Sequence, residues 1–350
     1  MNLPDSVSLT AFGLAALAWL LALLADLLIG TALPRLLLAA GCALAALGAL
    51  WGLPEGGASQ TLLLLGNSPV AFQPDAAALW LMLPALLPAF FASLLGGTGH
   101  ARGWAAGAAL SLLGALGVYG LQDGASFLIA WEVMGFGGAL MLLADHRSVQ
   151  AGRDNLFMLA LLEVGGVALL LAVLMLGQSL AFGTYALQWT QWGVASAFFL
   201  GLLWLAGFGA KLGLLPFYEW YPGAYGSGSG ASGALMSGVV MNAAYFALGR
   251  ALLQWMSHPP WLAAFGVVVL AAGTFTAILA ILYAFQQSDW RRLLAFSSAE
   301  NAGVAVTALG AALIFRAGGQ DALSALAWTV GMLHLMGHSL AKGTLFLSAD

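Results

Sequence analysis

Apolar runs of nearly constant length follow one another along the whole chain, separated by short polar or glycine- and proline-rich breaks. A hydrocarbon core about 30 Å thick takes roughly 20 helical residues to cross, and runs this continuous satisfy their backbone only as helices. The pattern predicts spans over 8–28, 33–52, 77–97, 103–121, 124–144, 155–177, 194–215, 232–256, 260–286, 293–315 and 323–348. The breaks read as turns: Leu53-Pro54-Glu55-Gly56-Gly57, Asn67-Ser68-Pro69, His146-Arg147-Ser148, His258-Pro259-Pro260 and Ser288-Asp289-Trp290. Gly135, Gly137, Gly138, Gly165 and Gly166 lie inside spans, where small residues let helices pack closely. The fold class is therefore an all-α polytopic membrane protein of about 11 transmembrane helices.

Composition agrees. Of 350 residues 62% are hydrophobic and 7% charged, against roughly 25% charged in soluble domains. So few charges cannot build a water-facing surface. The net charge of −4 is spread singly, leaving no basic patch for nucleic acid. The one cysteine, Cys42, excludes a disulfide framework and a thiolate cluster. Met1 to Asp5 has no basic residue and no cleavage signature follows the first run, so that run is a span and not a cleaved signal. Basic residues are retained on the cytoplasmic side. The odd-numbered connections hold Arg35, Arg102, Arg147, Arg153, Arg291 and Arg292, and the even ones Arg250 and Arg316. The odd connections should face the cytoplasm and the N-terminus the opposite side of the cell inner (plasma) membrane.

Against this background the ionisable residues inside spans stand out, because each costs at least about 2.5–3.5 kcal/mol at mid-bilayer. Five are singled out, Glu132, Glu163, Lys211, Glu300 and Lys342, joined by His334 and His338 on the same span as Lys342. The last three fall at i, i+4 and i+8, on one helix face. Taken singly, Glu163 suits a neutral acid bonded to a neighbouring helix as well as a proton carrier. Lys211 and Lys342 lie near enough to span ends to snorkel. A stripe of three titratable groups points instead to a proton relay.

Other chemistries fit poorly. His334-Leu-Met-Gly-His338 lacks the adjacent glutamate of a zinc helix. His100, His146 and His258 fall in connections, unsuited to axial haem ligation. There is no cysteine cluster, nucleotide loop or dinucleotide fingerprint, so no metal and no cofactor is expected. Movement of protons or another cation along carboxylates, lysines and histidines remains.

Five segments carry a family resemblance: Trp131-Glu132-Val133-Met134; Gly207-Phe-Gly-Ala-Lys211 through Pro216 to Trp220-Tyr221-Pro222; Ser232-Gly-Ala-Leu-Met-Ser237-Gly238; Arg292-Leu-Leu-Ala-Phe-Ser297 through Glu300-Asn301-Ala-Gly303; and His334 through His338 to Lys342. In this order they resemble the antiporter-like subunits of complex I, Mrp-type cation/proton antiporters and energy-converting hydrogenases. Ser297-Ser-Ala-Glu300-Asn301 is most similar to the component B type of hydrogenase-4 and formate hydrogenlyase. The resemblance implies that Glu132 and Lys211 form a proton-channel pair, with a helix break at Pro216. It also implies that His334, His338 and Lys342 form a lateral hydrophilic axis, with Glu300 in the same plane. Partners would be other membrane and peripheral subunits of a hydrogenase or complex I-like assembly. The transported ion would be the proton, with sodium as the alternative, and the redox chemistry would lie in those partners.

Departures are specific. Tyr218 and Tyr225 stand where the family usually has histidine, and Asn242 where the hydrogenase branch usually has lysine. The glycine-rich run Gly226–Gly233 is expected to loosen the link to the next span. The family core holds two inverted five-helix repeats. Residues 1–121 then supply the N-terminal helices, with span 4 opening the first repeat; 122–258 supply the rest of that repeat, and 259–350 the start of the second, which reads as truncated.

Overall fold

The computed structural model describes residues 3–29, 32–56, 59–65, 68–95, 102–145, 149–176, 181–186, 192–256 and 259–349. Asn67, His100, His146, Arg147, Ser148 and His258 lie outside the described residues. The chain runs α1 (Leu3–Leu28), α2 (Leu33–Gly52), a hairpin of β1 (Gln60–Leu65) and β2 (Ser68–Phe72), α3 (Ala76–Leu95), α4 (Trp104–Gly120), α5 (Gly124–Ala144) and α6 (Val149–Met175). It continues through α7 (Val194–Leu212), the short α8 (Trp220–Ser227), α9 (Gly230–Trp255), α10 (Leu262–Ala284), α11 (Trp290–Ala317) and α12 (Asp321–Leu347). Nine helical stretches among the described residues are long and apolar enough to cross a membrane. To these α4 adds a shorter apolar helix. α12 is 27 residues long but carries His334, His338 and Lys342. Together they account for the 11 expected spans.

The differences from the sequence pattern are local. The connection after α2 is an antiparallel hairpin, with Gln60 opposite Phe72 and Leu65 opposite Ser68, where the turn residues alone were legible. α6 starts at Val149, ahead of the expected 155, because a helix continues past the apolar run that marks its membrane-buried part. Arg250 and Arg316, assigned to connections, lie in the last turns of their helical segments. Arg250 donates from Nη1 to the Leu121 carbonyl at 3.0 Å and from Nη2 to Gln122, and Arg316 donates to the Leu253 carbonyl.

α9 is the axis of the molecule. Every residue from Gly230 to Leu252 is buried. Around it stand α3, α4, α7, α11 and α12. The pairs α1–α2, α4–α5 and α10–α11 form hairpins of helices. Glycine brings the backbones of α4 and α5 together: a methyl group on Gly137 would lie 2.7 Å from the Gly107 carbonyl oxygen. α8 is wedged between α6 and α11, at the end where Asp154 and Arg292 start their helices.

Five aspartates are used up by helix ends. The first amides of a helix have no partner within it, and the helix dipole favours negative charge there. Asp75, Asp123 and Asp289 cap α3, α5 and α11, accepting from Ala78, Ser126 and Arg292 amides at 2.8, 2.9 and 2.8 Å. Two more act across helices. Asp26, buried on α1, accepts the Gly103 and Ala106 amides of α4 at 3.0 and 2.9 Å. Asp145, ending α5, accepts the Ser229 amide and hydroxyl at 2.9 and 2.8 Å and the Ser232 hydroxyl, holding the head of α9. The glycine-rich run before α9 is therefore a clamped turn and not a slack link.

Asp26→Ala removes the acceptor of two amides and is expected to cost about 1 kcal/mol, whereas Asp26→Asn retains most of the stability. The midpoints of thermal unfolding in lipid nanodiscs check this; coincidence of Asp26→Ala with the unaltered protein refutes it.

Candidate functional site

Lys211 lies in the last turn of α7 and is 1% exposed. The helix stops one residue later because Gly213 adopts φ 67°, a left-handed conformation open to glycine without strain. A cis Leu215–Pro216 peptide and a short 3-10 turn, Phe217–Glu219, then lead into α8. The break expected at Pro216 is present and begins slightly earlier. Stopping a helix inside the protein frees carbonyl groups that must find donors. Trp220 Nε1 donates to the Ala210 carbonyl at 2.9 Å, and Tyr221 Oη reaches the Leu212 and Lys211 carbonyls at 3.2 and 3.4 Å. Thr276 of α10 accepts the Leu215 amide at 3.0 Å.

The Lys211 side chain leaves this end toward α5 and α6. Its Nζ makes no hydrogen bond and lies 4.6 Å from the centre of the Trp131 ring. Glu132 and Glu163 both act on it electrostatically, and Glu163 acts on Glu132. Glu163 is thus the third member of a Glu132–Glu163–Lys211 cluster rather than an isolated acid. The negative end of the α7 dipole adds to the attraction. Two glycines clear the space: a methyl on Gly135 would lie 2.8 Å from Lys211 Nζ, and one on Gly166 2.6 Å from Glu132 Oε1. Gly165, by contrast, serves packing, since its methyl would meet the Gly207 carbonyl oxygen of α7 at 2.9 Å.

A second cluster joins α11 and α12. Glu300 and Lys342 interact electrostatically, Asn301 donates to Glu300 Oε2 at 2.6 Å, and Lys342 Nζ donates to the Leu294 carbonyl at 3.3 Å. His338 is buried with neither ring nitrogen bonded, half-buried His334 leaves Nε2 unpaired, and both Lys342 and His334 act on His338. Of the i, i+4, i+8 stripe, His338 and Lys342 are thus buried, and Lys342 faces Glu300.

Between the clusters sits Asn242, fully buried on α9. Its Nδ2 donates to the Leu81 carbonyl of α3 at 3.1 Å, and its Oδ1 accepts from Ser339 of α12 at 3.1 Å. Asn242 pins three helices together and presents no titratable group. Of the tyrosines, half-buried Tyr218 stacks on Tyr283 at 6.0 Å, outside the Lys211 cluster. Tyr225 stacks on Tyr221 at 5.0 Å and packs on Phe346 at 5.4 Å, a packing position. Trp131, Gly135, Gly166, Trp220, Tyr221 and Ser339 complete the site. No residue pattern marks their roles, which depend on which helices meet.

Comparison with known proteins follows the same outline. A family model for the NADH:quinone oxidoreductase/Mrp antiporter transmembrane region matches residues 122–350. Hydrogenase-4 component B of Escherichia coli (strain K12) is 32% identical over 231 residues, covering 64% of this chain and 33% of that protein. Formate hydrogenlyase subunit 3 of the same organism is 37% identical over 148 residues, covering 42% and 24%. The chain thus matches about a third or less of the length of these relatives. A subunit of the membrane-bound sulfane sulfur reductase, an archaeal respiratory membrane complex, superposes with a TM-score of 0.80 at 22% identity, over 97% of this chain and 56% of that one.

Removing the donors that close the α7 break, by Trp220→Phe or Tyr221→Phe, is expected to cost about 1 kcal/mol each. Amides of Gly213 and Leu214 should exchange with deuterium roughly fivefold faster in each variant. Unchanged exchange in both would show that these side chains do not hold the break.

Proposed function

We propose that this chain, which belongs to the NADH:quinone oxidoreductase/Mrp antiporter transmembrane family, moves protons across the inner membrane as a subunit of a membrane-bound redox complex of the hydrogenase-4 or formate hydrogenlyase type. The observation that carries the reading is Lys211: an amine buried at a helix break, without a hydrogen bond, opposite two carboxyl groups on two other helices. Opposite charges attract more strongly in a protein interior than in water, because the effective dielectric there is lower. Loading a proton on Glu132 therefore loosens the hold on the Lys211 ammonium and favours release of the lysine proton.

The second cluster repeats the logic with Glu300 and Lys342 and adds His338 and His334 as carriers along α12. Buried ring nitrogens and an amine without partners are groups that water files bond well. Electron transfer lies in partner subunits. The arginine distribution supports a non-cytoplasmic N-terminus, since Arg35, Arg102, Arg153, Arg291 and Arg292 share one end of the bundle, with α8, while Arg250 and Arg316 at the other end are engaged by backbone carbonyls.

A second reading, a membrane scaffold without through-conduction, is supported by Asn242. Its amide is bonded at both the nitrogen and the oxygen where the hydrogenase branch would place a lysine, so this position offers no titratable group between the two clusters. Proton uptake by vesicles carrying the assembled complex separates the readings. Lys211→Ala and Glu132→Gln should each abolish uptake while the complex still assembles. Normal uptake in both variants rejects proton movement through this site and leaves the scaffold.

A further inference from the structure

We infer that Trp131 is a positioning residue for Lys211: its indole face seats the charged ammonium and gives the lysine a resting place distinct from Glu132. The inference deepens the proton-moving reading above and rests on it.

A lysine that is 1% exposed and whose Nζ makes no hydrogen bond needs another source of stabilisation when charged. One group of the right electrostatic sign is the π face of Trp131, at 4.6 Å from Nζ to the ring centre. That ring is held rigidly. Trp131 is fully buried, Phe208 meets it edge-on at 5.1 Å, and Phe127 stacks beside it at 6.2 Å. Gly135, one turn along α5, is the opening that admits the amine, since a methyl there would lie 2.8 Å from Nζ and 3.2 Å from Cε.

Trp131 and Glu132 are consecutive, and on a helix consecutive side chains diverge by about 100°. They offer the flexible lysine stem two directions. The charged groups acting on the amine are Glu132 on α5 and Glu163 on α6; α8, α9 and α10 bring none among the described residues. When both carboxyl groups are occupied by protons no anion remains to hold the ammonium. The indole face then does so, and because it attracts only the charged form, it opposes in part the proton release that loading the carboxyl groups favours.

The chain has two lysines, Lys211 and Lys342, so nitrogen-15 lysine confined to this chain, in a complex whose other subunits are unlabelled, gives side-chain signals from two residues in solid-state NMR in lipid. Lys211→Gln assigns them. At a pH where charged and neutral Lys211 coexist, Trp131→Leu should lower their ratio about tenfold, the size of a desolvated cation–π contact. Trp131→Phe should lower it by less than half as much on a logarithmic scale. Gly135→Ala, which pushes the amine off the ring, should lower it as Trp131→Leu does, with the Lys342 signal unmoved in all three. An unchanged ratio in Trp131→Leu, or a fall as large in Trp131→Phe, overturns the inference. If Trp131→Leu does not assemble, an unchanged ratio in Gly135→Ala overturns it equally. Vesicle uptake by Lys211→Ala is scored separately, so loss of the seat and loss of the proton-moving function are distinguishable.

Discussion

A helix that stops inside a bilayer protein leaves carbonyl groups with no water to meet them, and the arrangement around Lys211 follows from how that demand is satisfied. Trp220 and Tyr221 reach back to the end of α7, which obliges α8 to fold against the break. Seating α8 there wedges it between α6 and α11 and so joins the two halves of the bundle. The same termination turns the negative end of a helix dipole toward a lysine. Backbone satisfaction and the siting of a charge are thus one constraint.

Charge placement elsewhere shows the same economy. Asp26, Asp75, Asp123, Asp145 and Asp289 each answer helix amides, two of them on a helix other than their own. The glutamates Glu132, Glu163 and Glu300 answer no helix terminus; their surroundings are lysines, each other and, for Glu300, Asn301. Short side chains at helix ends thus hold the fold, and the longer ones within spans face other ionisable groups instead. The buried α9 separates the two clusters, and Asn242 fastens it to α3 and α12.

The resemblance in the sequence was specific enough to single out Glu132, Lys211, Glu300, His334, His338 and Lys342, because ionisable residues in apolar runs are conspicuous. The break at Pro216 was legible for a similar reason. Glu163 was ambiguous: alone in its span it reads as a neutral acid, and only the approach of α6 to α5 makes it a partner of Glu132. Tyr225 and Asn242 occupy family positions but serve packing and pinning here, which their identities did not reveal.

By itself the sequence determined the number of spans, their approximate limits and the residues too polar for their surroundings, since the bilayer imposes a length and a polarity on every crossing segment. It could not decide which spans meet. The β-hairpin after α2, the capping of α4 by Asp26 and of α9 by Asp145, the glycines that make room for Glu132 and Lys211, and the indole beneath that lysine all depend on contacts between segments distant in the chain. Transfer energies act on each residue separately and leave a mark in composition. Packing acts on pairs, and the pairs exist only once the helices have assembled around α9.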